Sequence, residues 1–406
     1  MSAGNVSPLL MILLAAAGMP TAPPRDDLRL EVEAARPLRT GTPLEAEVGA
    51  EALPAGPLVL RDEGGRAVPA QRVPGIPVRL AWRLERPLEA GEKRVYRLES
   101  SGEGPGSPGG AECRDVEGKH LICRAAGRDV LRYNQAVVSP PPGVDEVFAR
   151  SGYIHPVWTP GGRVITNDFP PKHLHHHGIW FPWTSAVFEG RKSDFWNSKE
   201  RQGRIECVKV EGLFSGPVLA GFRAHHRFLN LNAPDGPRPA LDETWEVRVY
   251  ASPDPFLFDL VSVQSCATAS PLLIRKYHYG GLGFRGSGEW EGPDGVAYLT
   301  SEGKTRRDGH GTTARWCLMR GTVQGREVSI GFLCHPTNFR FPQGMRIHPD
   351  EPFFNWAPCQ GGDFQIEPGR PYVSRYRFVV RDGPLEAGEM DRFWSEYAES
   401  PRISRR

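Results

Sequence analysis

The residues best suited to chemistry crowd into one stretch, GYIHPVWTPGGRVITNDFPPKHLHHHGIWFPWTSAVFEGRKSDFWN, from Gly152 to Asn197. It carries five of the twelve histidines, together with Trp158, Trp180, Trp183 and Trp196. Imidazoles exchange protons near neutral pH and also bind transition metals. If KHLHHHG is extended, His173, His175 and His177 share one face and His176 takes the other. A second segment, RKYHYGGLGFRG, sets His278 between two tyrosines, with glycines that permit close backbone approach to a ligand. Arg275, Lys276 and Arg285 add positive charge there. A third, from Leu333 to Cys359, is an irregular Pro-rich run holding His335, Asn338, Arg340, His348, Glu351 and Trp356. Among the carboxylates, Glu243 opens a strand-like run and shares a face with Trp245.

These groups suit a sugar site. Tryptophan faces stack on pyranose rings, while Arg, Asn and His bind hydroxyls. His176 and His278 are the expected proton-transfer groups, with Glu243 as a further candidate for the base. His173 and His175 are expected to orient the sugar, Arg285 to bind an oxygen, and Trp180, Trp183 and Trp356 to form the stacking platform. At least two of His175, His176 and His278 should border one cleft with Trp180 or Trp356, and Glu243 should lie at its edge. A rival reading gives His173, His175 and either His155 or His278 to a divalent metal; a catalytic zinc takes three such ligands and an open position. Without that rival no cofactor is expected. A third reading is a non-catalytic groove for glycans. There is no GxSxG, P-loop, HExxH or CxxC, and no GxGxxG leading into a helix.

The elements that must position these residues are short strands. The chain has 406 residues, with 46 Gly and 39 Pro, a composition that interrupts long helices. Ten Trp, 19 Phe and 10 Tyr can fill a sizeable core. Fifty basic against 48 acidic residues leave +2, so no bulk field draws the chain to nucleic acid. From Leu28 to Ser100, alternating runs such as LRLEVEA and KRVYRLES predict a small β-sandwich without His or Cys, structural or adhesive in role. The stretch from Ser101 to Ala111, SGEGPGSPGGA, reads as a linker. A large β-sandwich should follow over 112–399, with one helix, Gly388 to Glu399, placing Met390, Phe393, Trp394 and Tyr397 at i, i+3, i+4, i+7. The basic tail SPRISRR should fray.

The apolar run from Pro8 to Met19 is too short to span a bilayer and reads as the core of a signal peptide covering 1–22, although no Lys or Arg precedes it. The expected destination is the periplasm or the exterior, without an integral membrane domain. Seven cysteines fit export, and a hairpin centred on Gly118 would set Cys113 opposite Cys123, near disulfide range. Two small buried hydrophobes would fit the same pattern.

The succession YIHPVWTPGGRVITNDFPPKHLHHHGIWFPW, DFWN, HYGGLGFR, HPTNFRFP and SRYRFVVRDGP, between Gly152 and Pro384, resembles a bacterial family of unknown function often labelled PmoA-like. Leu174 and His177 stand where that family has Pro and Arg, and Asp242-Glu243 where it tends to have Glu-Arg. The label's oxygenase sense does not fit a chain without several spanning segments. The family is similar in pattern to galactose mutarotase-like proteins. The resemblance therefore implies an all-β chain whose large domain is a mutarotase-like β-supersandwich, and it brings no established catalytic residues. The expectation is an exported carbohydrate-active protein acting by epimerisation, elimination or hydrolysis on a small-molecule or oligosaccharide substrate.

Overall fold

The computed structural model describes residues 28–49, 53–54, 56–75, 77–100 and 109–406. The expected signal segment and most of the expected linker lie outside these residues. Among the described residues, the regular elements are mostly antiparallel strands, with one α-helix near the C-terminal end. Among the described residues, no helix is long and apolar enough to cross a membrane.

Six strands between Arg29 and Ser100 form one continuous sheet around Leu30, Val32, Leu60, Trp82, Leu88 and Tyr96. A seventh comes from the far end of the chain. The tail does not fray: Arg402–Arg405 pairs with Arg29–Glu33, Leu30 facing Arg405, and Ile403 packs against the same core. The sequence hid this because ISR is too short to show alternation. The module is also fastened to the rest of the protein. The Gln71 amide donates to the Leu219 carbonyl at 2.8 Å and accepts from Val218 and Leu219 N–H at 3.1 Å each. Arg248 meets Glu45 at 2.6 Å.

Two eight-stranded sheets and a smaller four-stranded one, Arg191–Lys192, Ala186–Phe188, Leu272–Ile274 and Phe364–Ile366, make the large domain. One of the larger sheets includes Gly203–Phe214, Leu219–Asn230, Arg238–Tyr250, Phe256–Cys266 and Tyr372–Asp382. Its strands alternate as expected for one buried face: Phe222, Ala224 and Phe228 point inward, while Arg223, His225 and Arg227 are less buried. The other runs in the order Met345–Ile347, Phe353–Trp356, Leu282–Arg285, Ile179–Trp180, Tyr153–Val157, Arg128–Asn134, His120–Ala125 and Ala111–Val116. Its inner face gives Ile154, Ile179, Phe284, Phe354 and Trp356 to the shared core. Its outer face carries Tyr153, Trp180, Arg285 and Phe353, and loops cover them. At its edge Cys113 lies opposite Cys123, and the two are joined by a disulfide.

The helix is Ala387–Ala398, buried through Met390, Phe393 and Trp394. The Trp394 indole donates to the Cys334 carbonyl at 2.9 Å.

Candidate active site

The histidine loop folds over the outer face of the second sheet. It is a closed hairpin, not an extended strand. Asp168 bridges His177, Gly178 N–H donates to the Asn167 carbonyl at 2.8 Å, and Arg285 N–H donates to the Gly178 carbonyl at 2.7 Å. Two successive turns lie inside it, from Pro170 to His173 and from His173 to His176, each closed by a 2.9 Å backbone bond. The Pro170-Pro171 pair starts this turning, since proline fixes φ and has no N–H for a ladder. The alternating faces expected for the histidines therefore do not form. Residues i and i+3 of a turn come together instead, and His173 stacks on His176 with centroids 4.8 Å apart and planes 8° from parallel.

Glu351 completes this group. Ligand atoms of His173, His176 and Glu351 lie within 4.8 Å of one another. His173 Nδ1 is 2.9 Å from Glu351 Oε2, close but out of line for a full hydrogen bond. Arg285 grips the same carboxylate oxygen and also pairs with Glu291. Burial opposes the Glu351 charge, yet the Arg285 guanidinium holds its carboxyl below the usual range. The His173 Nδ1 edge is buried, while the side chain as a whole is 33% exposed, so the open side of the ring is the one bearing Nε2. Beside it, burial pushes the His175 imidazole down to about 3 and holds His176 well below its ordinary value, so both are neutral acceptors.

Deeper in the loop lies a second imidazole–carboxylate pair. His177 Nδ1 sits 2.7 Å from Asp168 Oδ1, and the Tyr153 hydroxyl donates to Asp168 Oδ2 at 2.7 Å. His177 is fully buried between Tyr153 and Phe169. His176 Nδ1, His177 Nε2 and the Trp180 indole N–H are buried without a protein partner.

A cleft of about 830 Å³ opens against this loop. His175, Tyr277, Tyr279, Asn197, Asp194 and Thr184 are among its walls. The polar ones are already ordered: Asp194 accepts from Asn197 Nδ2 at 2.6 Å and Thr184 Oγ1 at 3.1 Å, and Tyr279 donates to Asn197 Oδ1 at 3.1 Å.

The structure places the other expected site residues differently. Of the three histidines expected at the cleft, His175 borders it. His176 lies beneath, 5.1 Å from the Trp180 ring, and His278 is exposed outside the cleft lining, packed on Tyr277 and Tyr279. Trp180, Trp183 and Trp356 are fully buried and offer no stacking platform. Trp180 is capped by His176, Trp196 and Phe353, Trp183 bonds Gln264, and Trp356 points to the core. Arg285 has no exposed surface and positions Glu351 instead of meeting a ligand oxygen. His155 bonds Thr166 Oγ1 at 2.9 Å and stands outside the His173–His176–Glu351 group, as does His278.

Glu243 does not reach the cleft edge. It is 2% exposed because the face it shares with Trp245 points into the sandwich. It lies opposite His226 on one neighbouring strand and Gln264 on the other. Its Oε2 is 2.8 Å from His226 Nδ1, and its Oε1 accepts from Ser262 Oγ at 2.6 Å and Gln264 Nε2 at 2.8 Å. His226 Nε2 reaches the Tyr133 hydroxyl at 2.6 Å.

The residues that sequence reasoning passed over are Asp168, Tyr153, Asp194 and Asn197. The loop signal TNDFPP did hold Asp168 next to the histidines, but only the bridge between residues 168 and 177 shows the pairing.

Solved structures to which the chain shows some similarity include a protein in the Glycosyl Hydrolase Family 38 from Enterococcus faecalis and an alpha-mannosidase from Enterococcus faecalis V583. Each matches 95% of this chain at 10% identity with a TM-score of 0.44. The chain spans about half the length of these structures, 48% and 46% respectively. No curated protein matches the sequence. A family model, described as "Family of unknown function (DUF6807)", matches residues 121–395, which include both large sheets' central strands, the histidine loop and Glu351. The chain belongs to that family.

Proposed function

We propose that this protein is an exported carbohydrate-active enzyme that performs acid–base chemistry on a sugar held in the 830 Å³ cleft. The observation that carries the reading is the His173–Glu351 pair, which stands outside the cleft lining but next to cleft-lining His175, with one imidazole edge against a carboxylate and the other open. Once aligned on Nδ1, a carboxylate fixes the tautomer and stabilises the imidazolium, which is how a histidine serves as base and then as acid. Arg285 keeps that carboxylate ionised. Neutral His175 and the Asn197, Asp194 and Tyr279 groups suit sugar hydroxyls, and Tyr277 and Tyr279 replace the tryptophans as aromatic surface. Epimerisation, elimination and hydrolysis all need such a proton-transfer group. The resemblance to PmoA-like and mutarotase-like sandwiches belongs to the same reading. Export is supported by the apolar run near the N-terminus and by the Cys113–Cys123 disulfide, a bond at home in oxidising compartments.

Turnover across a library of defined glycans, with His173→Ala and Glu351→Gln in parallel, tests this. His173→Ala should lose about 10²–10⁴-fold in kcat. Unchanged turnover in that variant would remove the reading, and a wild-type protein that binds glycans without converting any would make the cleft a binding groove.

A second reading has its own observation. Two imidazoles and a carboxylate within 4.8 Å are a ligand set for a divalent transition metal. Against it, the two rings are nearly parallel, so their in-plane lone pairs do not converge on one point, and Arg285 already occupies the Glu351 oxygen. Elemental analysis of the purified protein decides this. A stoichiometric metal lost in His176→Ala would favour the metal reading, and its absence from protein active in the presence of chelator would end it.

A further inference from the structure

Near the histidine loop a second cavity, of about 360 Å³, is lined by Arg150, Ser151, Val147, Ile205 and Leu231, with Arg201 and Arg204 and the carboxylates Asp145, Glu146 and Glu206 also on its walls. Arg201 pairs with Asp145 and Arg204 with Glu206, each at 2.6 Å. Arg150 is different. It is only 6% exposed, and among the described residues its guanidinium makes no ion pair and no hydrogen bond, its Nε lying buried without a partner. The carboxylates whose charge reaches it are Asp168 and Glu243, and both are engaged elsewhere, by His177 and Tyr153 in one case and by His226, Ser262 and Gln264 in the other. Burial alone pushes the Arg150 guanidinium down to about 10. A buried charge is normally paired; here Nε is sealed without a partner, and the terminal nitrogens keep accessible surface without a protein acceptor.

We propose that Arg150 is the anchor of an anion site in this cavity, and that its ligand is the carboxylate of a sugar acid. One guanidinium supplies one positive charge and a planar fork that matches a carboxylate in a bidentate pair. A phosphate dianion would need a second free cation, and Arg201 and Arg204 are already neutralised. Val147, Ile205 and Leu231 supply apolar surface for the body of the ligand. The cavity and the cleft share a wall, since residues 194–202 turn Phe195, Ser198 and Arg201 to one and Asp194, Asn197 and Lys199 to the other. The sugar part of the assignment rests on the proposed function; the carboxylate part rests on Arg150 alone.

Calorimetric titration of the full chain with D-glucuronate, D-glucose and inorganic phosphate tests it, together with thermal melts of Arg150→Met and His173→Ala. The wild type should bind glucuronate about tenfold or more tighter than glucose, as expected for hydrogen bonds between charged groups. Arg150→Met should lose that preference and, without ligand, melt no lower than the wild type, because it removes an unpaired buried charge. His173→Ala should keep glucuronate binding, so loss of turnover with binding intact separates this site from the proton-transfer pair. Equal affinity of the wild type for glucuronate and glucose overturns the proposal without reference to any variant. So does phosphate binding tighter than glucuronate, an unchanged preference in Arg150→Met, or a clearly lower melting temperature of ligand-free Arg150→Met.

Discussion

Replacing Glu243 by alanine separates a structural carboxylate from a catalytic one. Its side chain holds three partners at 2.6–2.8 Å, Ser262, Gln264 and His226. Truncation strands these polar groups in an interior where Glu243 and His226 are 2% and 1% exposed. Each stranded group costs about 1–3 kcal/mol, and breaking a buried pair typically costs about 3–5 kcal/mol, so about 4 kcal/mol is the working figure. At about 2.1 cal/mol/K per residue, a unit of about 270 residues unfolds with an entropy of about 0.6 kcal/mol/K, which converts the loss to a fall in Tm of about 7 °C. Glu243→Gln should cost less, about 1–2 kcal/mol, because its carbonyl still accepts from Ser262 and Gln264. Calorimetric melts supply the stability, and turnover per folded molecule supplies the activity. If Glu243→Ala melts within about 2 °C of the wild type, or folds normally and loses about a hundredfold in kcat, the assignment of Glu243 to the core is wrong.

Acid should destabilise the protein through its buried histidines. Burial, reinforced by His175 and Arg285, depresses the folded-state pKa of His176, so below about pH 6.5 the unfolded chain binds a proton that the folded one does not. The stability is complete above pH 6.5 and falls by up to about 1.4 kcal/mol per pH unit below it; urea midpoints that stay flat from pH 6.5 to 5 would contradict this. The Cys113–Cys123 bridge closes a short hairpin loop, and reducing it or replacing both cysteines by serine should cost about 2–3 kcal/mol, read from urea curves with and without reductant.

Much of the fold is legible because it depends on local pattern. Alternation in FRAHHRFLN and TWEVRVYA marks strands with one buried face, and the spacing of Met390, Phe393 and Trp394 marks the helix that forms at Ala387–Ala398. The Cys113–Cys123 pairing follows from the midpoint of a hairpin. The site was less legible for two physical reasons. Proline-driven turns convert a strand-like alternation at residues 173–177 into an i, i+3 stack, and periodicity arguments do not survive a turn. Partners such as Glu351 for His173 or His226 for Glu243 depend on which strands and loops are neighbours, and topology of this kind is not written in any window of sequence. The tryptophans misled for a related reason: large aromatic side chains announce burial as readily as ligand stacking, and here they are buried.

Three histidine–carboxylate pairs with a largely buried carboxylate recur in the large domain at nearly the same distance, His173–Glu351 at 2.9 Å, His177–Asp168 at 2.7 Å and His226–Glu243 at 2.8 Å, whereas a fourth, His225–Glu211 at 2.8 Å, lies on the surface with its carboxylate 43% exposed. Distance and residue type therefore cannot tell which of them does chemistry. Access can. The side chains of His226 and His177 are 1% and 0% exposed, and proton transfer to a substrate from either would require the loop or the sandwich to open. His173, at 33%, keeps an edge open while its carboxylate stays at 5%. A proton-transfer group needs this combination: a dry side where the carboxylate acts at low dielectric, and a wet side where a substrate can arrive. The buried pairs meet the first condition only, and so they serve the scaffold that holds the third in place.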